Sequence, residues 1–466
     1  MASASVPSAS LRDDSRARLG TRLLVVYVFL IYSRVFEVAM HYGVPNIYPM
    51  LILSAIALLV ILLNGGLARA VKTPVGLLLL GFTAWACLAL PFSDWKSESL
   101  SQLLNVWLKS VATFFIIVGL TKDLADCRKI FSALAWGAVA STIAMQFIER
   151  VIGERVTSVG TLGNANEAAF HIIFGLPFLI FLILRAKPAL KIPLAAIAIL
   201  SLTLSVKTAS RAGVVILIVL LFVALLKVSL RNKVRILAVA GGALIIAALS
   251  VNEIALERYR TMVGDSSFSE QALSAKLSAD NRKYLLKEGI ELTLTHPIFG
   301  VGMGVFTPAA AALSESRGEH ALWLVSHNSY VQVSSELGLV GFVLMIAVFG
   351  LSIVSLRKVD RLAREYALTE ISSMSLCLLL SFIALMIHYF FDAAAYDLYL
   401  PMGAGLCTAL YSSTVVAAET KRIAERANAP VPQLQTPKLP VKSPTPVLEP
   451  ANPVRFGRRR SSIVSK

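Results

Sequence analysis

The sequence predicts an all-α protein, a polytopic membrane helix bundle of about 12 transmembrane helices with one long, partly helical loop. Three observations predict it. Of the 466 residues 56% are hydrophobic and only 15% charged. The apolar residues arrive in blocks of about 18 to 25, and roughly 20 such residues cross a hydrocarbon core of ~30 Å. The basic residues alternate between successive connections, as the positive-inside rule requires.

Residues 1–21 are polar and basic and lead directly into a full-length apolar segment, which reads as a signal anchor with a cytoplasmic N-terminus. The expected spans are 22–40, 47–64, 74–92, 103–120, 130–148, 167–184, 190–206, 212–226, 234–251, 329–356, 367–389 and 396–417. On this topology the inner connections carry 16 basic residues, among them Arg128, Lys129 and Arg185, and the short outer ones carry five. The net charge of +16 is thereby accounted for without nucleic acid. An even span count puts the C-terminus inside as well.

The transmembrane domain is thus expected over 22–417, with an outward-facing loop at 252–327. Beyond it, 418–466 holds eight prolines between Pro430 and Pro453 and ends RFGRRRSSIVSK, which reads as a disordered, basic cytoplasmic tail. The four cysteines fall in spans or in an inner connection, so no disulfide is expected.

Ionisable residues gather on the outer side. His41, His296, His320 and His327 lie in outer connections, and His171 and His388 at the outer ends of spans. Arg34 and Glu37 sit three residues apart in the outer half of the first span, as an ion pair or as the wall of a wet cavity. Lys109 lies about two turns below the outer end of the fourth, with no evident local partner, and suits an anion.

Four stretches carry candidate chemistry. TLGNANEAAF (161–170) offers Asn164 and Asn166, as turn formers or as sugar contacts. SVKTASRAGVV places Arg211 at a helix start, where a guanidinium fork meets the positive helix end; the residue reads as a phosphate ligand or as an interfacial arginine. In the long loop, Asn281 and Arg282 open an amphipathic helix with Leu286, Ile290 and Leu294 on one face. HPIFGVGMGVF follows it, its glycines either approaching an anion or forming a tight packed turn. Finally, HNSYVQVSSELGLVG puts His327 and Asn328 at the next helix start, where a histidine titrating near neutrality serves as a general base or as a cap.

Together these stretches resemble the O-antigen ligase and O-antigen polymerase family of bacterial membrane glycosyltransferases. His327, Asn328 and Gly338 fit that family's pattern of histidine, small polar residue, nine residues and glycine. Ala165 departs from it, since proline often stands there. The resemblance implies a GT-C-like bundle that takes a glycan from an undecaprenyl-diphosphate carrier. It implies transfer to a hydroxyl acceptor, on lipid A core, glycan or protein, at the periplasmic face of the inner membrane in lipopolysaccharide or polysaccharide biosynthesis. It implies inversion and no metal or cofactor, with Arg211 and Arg282 holding the diphosphate and His327 assisting the acceptor. Lys109, Asn164, Asn166, Arg34 and Asn328 complete the expected substrate-binding set, and membrane lipids are the surrounding partners. The alternative is a transporter or flippase of lipid-linked saccharides, which would place polar groups near the bilayer midplane.

Overall fold

The computed structural model describes residues 8–427 except 149, 153–154, 158–159, 161–162, 228–229, 250–255, 257–258 and 261–269. The expected tail beyond 427, positions 161–162 of the asparagine stretch and much of the first part of the long loop thus lie outside the described residues. Residues 1–421 form one compact unit, and 422–466 a second, of which 422–427 are described and helical.

The architecture is all-α. Among the described residues the one exception is an antiparallel hairpin, β1 (Arg150–Ile152) with β2 (Arg155–Thr157), in which Arg150 faces Thr157. In place of a continuous first span stand α1 (Ser8–Ser33) and α2 (Val35–His41), bent by 52° at Arg34, whose φ is +56°. After α3 (Pro49–Leu63) and the short α4 (Gly66–Val71) comes α5 (Pro74–Ala89), opened by Pro74 and by Thr73, whose hydroxyl accepts the Gly76 N–H at 3.1 Å. The fourth span starts earlier than expected: α6 (Lys96–Gln102), a π turn at Leu103–Trp107 and α7 (Leu108–Leu120) run on as one.

Four long helices follow: α8 (Leu124–Phe147), α9 (Ala165–Arg185), α10 (Pro188–Lys207) and α11 (Arg211–Lys227). Next are α12 (Leu230–Leu249), then α13 (Glu270–Thr295), α14 (Phe306–Ser316) and α15 (Ser329–Glu336). The chain closes with α16 (Gly338–Glu365), α17 (Thr369–His388) and α18 (Tyr399–Ala427).

Among the described residues eight helices are long and apolar enough to cross a membrane, or nine if the bent pair is one span. The other three expected spans coincide with α3, of 15 residues, with α11, of 17, and with α12, which carries Arg231, Lys233 and Arg235 in its first two turns. Packing is tightest where α1 crosses α8 and α9. There Tyr32 is buried and donates to the His171 carbonyl at 2.6 Å, and a Cβ on Gly175 would lie 2.6 Å from its hydroxyl. Phe114, Phe131, Phe170, Phe174 and Phe178 are buried in the core that includes this crossing.

The described part of the loop has a small apolar core, and it corrects the expected helix face. On α13 it is Leu285, Glu288 and Leu292 that are buried, whereas Leu286, Ile290 and Leu294 are exposed at 38%, 49% and 74%. The reason is Gly289, on the buried side: a Cβ there would meet Val331 at 2.2 Å, so the missing side chain lets α15 and Phe306 close against this face. Buried Glu288 is paired with Arg317, which also reaches Glu291 at 2.9 Å and Glu319 at 3.0 Å.

Of the two readings of the glycines, the packed turn is what forms. Gly300, Gly302 and Gly304 have φ of +68°, +112° and +77°. The N–H groups of Val301 and Gly302 donate to the carbonyls of Ser335 and Glu336 at 2.9 Å. The expected span at 329–356 is likewise divided, because Gly338 (φ +68°) turns the chain between α15 and α16 and lets Leu339 donate to the Pro297 carbonyl at 2.8 Å.

Candidate functional site

Most of the candidate residues sit where helices begin or break; Arg282 instead lies in the middle of α13, which begins well before the expected start at Asn281. At the start of α9, Asn164 accepts the Asn166 N–H at 2.9 Å, so this asparagine forms the cap. Asn166 is joined to the start of α11 by the Ser210 hydroxyl, 2.9 Å from its Oδ1. Ser210 also accepts the Gly213 N–H at 3.2 Å, capping the helix whose first residue is Arg211. Two positive helix ends therefore meet beside Arg211.

Arg282 and His327 come to the same place from the loop. Arg282 projects from α13 half-buried, close enough to Arg211 for the two charges to act on each other. Its Nε is buried without a hydrogen bond among the described residues. His327 directly precedes the cap Asn328, whose side chain accepts the N–H groups of Tyr330 and Val331 at 3.0 and 3.1 Å. His327 itself has φ +49°, a region that non-glycine residues seldom occupy and that marks functional sites. Its Nδ1 is buried and unbonded among the described residues. Burial, helped by the positive charge of Arg282, holds its pKa below the usual histidine value.

The beginning of α15 is docked on the turn between α17 and α18. Ser329 donates its N–H to the Tyr389 carbonyl at 2.8 Å and its hydroxyl to the Asp392 carbonyl at 2.7 Å, and accepts the Ala394 N–H at 2.9 Å. Asp392 stands in the turn between α17 and α18. In the structure it is buried, its charge acts on Arg282, and burial raises its pKa. Its Oδ2 makes no hydrogen bond among the described residues and lies 3.8 Å from Nε2 of His388. The signal for it was its position, four residues past His388 in a short connection on the outer side.

The remaining expectations divide. Arg34 pairs with Glu37 at 2.7 Å and also hydrogen-bonds Tyr399, at the break between α1 and α2, so the ion-pair reading is the one that forms. Electrostatic reach connects Arg34 to Asp397 and Asp397 to Asp392, which places the pair beside the arginine and histidine group. Lys109 is exposed on α7, and among the described residues no ion pair or hydrogen bond ties it to that group. Asn328 spends its side-chain oxygen on capping. His41, His296 and His320 are exposed, while His171 bonds Tyr399 at 2.7 Å and His388 stacks on Phe170 at 4.0 Å. Among the described residues no three His, Cys, Asp or Glu side chains are grouped as metal ligands.

Two guanidinium groups within electrostatic reach of each other, one of them also within reach of a neutral imidazole, can hold a doubly charged anion and accept a proton beside it. No curated protein matches the chain. Residues 196–346, about a third of the chain, match the family model described as O-antigen ligase. The matched segment contains Arg211, Arg282 and His327, so the part of this all-helical, multi-span chain that carries the three residues is similar to the O-antigen ligase family.

Proposed function

We propose that the chain is an inverting, metal-independent glycosyltransferase that moves a glycan from an undecaprenyl-diphosphate carrier to a hydroxyl acceptor. The observation that carries the reading is the nearness of Arg211 to Arg282, like charges from separate elements, and of Arg282 to His327, whose φ is positive and whose buried Nδ1 makes no hydrogen bond among the described residues.

In the reaction the acceptor oxygen attacks the anomeric carbon and the bond from that carbon to the diphosphate oxygen breaks. The acceptor's proton passes to His327, kept in its neutral form by burial and by Arg282. The bonding pair leaves with the diphosphate, whose growing charge Arg211 and Arg282 offset. In other transferases a divalent cation meets that charge.

The reading carries a membrane topology with it: about 12 spans in a bacterial inner membrane, the His327 end facing the periplasm and both termini in the cytoplasm. Ligation to lipid A core or protein, and polymerisation of repeat units, require the same donor chemistry. A deletion strain distinguishes them. Accumulated long carrier-linked chains identify a ligase, and single carrier-linked repeat units a polymerase. An unchanged pool of lipid-linked intermediates with normal surface glycan overturns the proposal.

A further inference from the structure

A cluster of cations and an apolar cleft lie together at the opposite end of the bundle. Arg128 is near the start of α8, Arg185 ends α9 and Glu370 is near the start of α17, whose far end, His388, borders Asp392. Between α1, α8 and α9 a cleft of 510 Å³ opens here, lined by Val25, Phe29, Arg128, Lys129, Trp136 and Arg185. Its polar rim and apolar wall are continuous: Arg128, Ser132 and Trp136 follow one another at a spacing of four along one face of α8. Trp136 stays 43% exposed on that face.

The rim is charged in a specific proportion. Arg128 Nε meets Glu370 at 2.9 Å, Arg185 pairs with the same carboxylate oxygen, and Lys129 Nζ meets Asp126 at 3.3 Å. Three cations against two carboxylates leave one net positive charge, while both arginines and Lys129 remain about half exposed, at 46%, 47% and 53%. Each guanidinium has five donors, so a shared carboxylate leaves N–H groups free to turn toward the cleft. Arg185 also lies over the Phe181 ring at 5.4 Å, which stiffens its stem.

We infer that this cleft holds one anionic phospholipid of the leaflet remote from His327, its phosphodiester on Arg128, Lys129 and Arg185 and a hydrocarbon chain along Val25, Phe29 and Trp136. The single net charge suits a singly charged phosphodiester better than the more highly charged diphosphate that the arginines at the other end are proposed to hold. Bound there, the lipid bridges α1, α8 and α9, the helices whose far ends carry Arg34 and Asn164.

The test is native mass spectrometry of the full chain in detergent, titrated in parallel with phosphatidylglycerol, phosphatidylcholine, a polyprenyl monophosphate and inorganic phosphate. Phosphatidylglycerol is expected to be retained in preference to phosphatidylcholine. The double variant Arg128→Gln with Arg185→Gln is expected to weaken that retention by about tenfold or more. Glu370→Gln, which releases both guanidinium groups, is expected to strengthen it. Equal retention of the two phospholipids, or weaker retention in Glu370→Gln in a chain of unchanged thermal midpoint, overturns the inference. Displacement by the polyprenyl monophosphate at lower concentration than phosphatidylglycerol also overturns it, assigning the cleft to the carrier lipid.

Discussion

The carboxylate of Glu336 accepts the backbone N–H of Gly304 at 2.8 Å and, through its second oxygen, that of Phe306 at 3.2 Å. A glycine-rich turn with N–H groups presented to an acceptor is present in the chain, but the acceptor is the chain's own side chain. This bond fastens the turn between α13 and α14 to the end of α15, and so sets Arg282 relative to His327. Replacing Glu336 by Ala leaves two backbone donors without their acceptor, at about 1–3 kcal/mol each. The thermal midpoint in detergent is expected to fall clearly for Glu336→Ala and less for Glu336→Gln, which keeps an acceptor.

Gly338 faces the same junction from the other side. Its φ is +68°, and a Cβ would come within 2.0 Å of the Ile298 carbonyl oxygen. Gly338→Ala is therefore expected to destabilise the fold by roughly 1–3 kcal/mol through backbone strain, with displacement of the Ile298 peptide in addition. A midpoint equal to the parent's would contradict the packing described.

His327 has a definite pH signature. Burial and the Arg282 charge both disfavour its protonated form, so its pKa lies below the ordinary value of about 6.5. A base must be neutral, so kcat/KM is expected to fall only as pH drops below that ordinary value. In Arg282→Gln the residual activity is expected to lose its acid limb at higher pH, because one of the two depressing influences is gone. A limb in the parent at or above the ordinary histidine value would contradict the assignment of His327 as base.

Charge stabilisation by Arg211 and Arg282 predicts that purified protein transfers glycan at full rate in EDTA. Loss of activity that Mg²⁺ or Mn²⁺ restores would place a metal in the step and count against the arginines in that role.

Much of this was legible in the sequence, for physical reasons that also explain the rest. Arg211 and His327 stand out because a cation or a histidine at a helix start beside apolar runs needs a reason, and the structure brings Arg282, from the middle of α13, within electrostatic reach of both. The bend at Arg34 and the break at Gly338 were hidden inside apolar runs, where hydropathy continues across a change of helix direction. On α13 the sequence points to the exposed face, because Leu286, Ile290 and Leu294 form the cleaner apolar repeat. Burial went instead to the side where Gly289 admits Val331 and Phe306 and where Arg317 neutralises Glu288. Lys109 misled for a similar reason, since a cation within an apolar helix reads the same whether it faces inward or out. Asp392 escaped notice because its partners, Arg282 and Ser329, are remote in sequence.

The central claim is that Arg211 and His327 act on one transferring glycan. Its most direct measurement is transfer from undecaprenyl-diphosphate-linked glycan to acceptor by purified Arg211→Ala and His327→Ala proteins, with membrane insertion and thermal midpoint checked alongside. The account predicts that each variant inserts normally and loses transfer by at least about a hundredfold, the scale of a lost general base or of a lost charge-stabilising group. Near-normal transfer by both would contradict it.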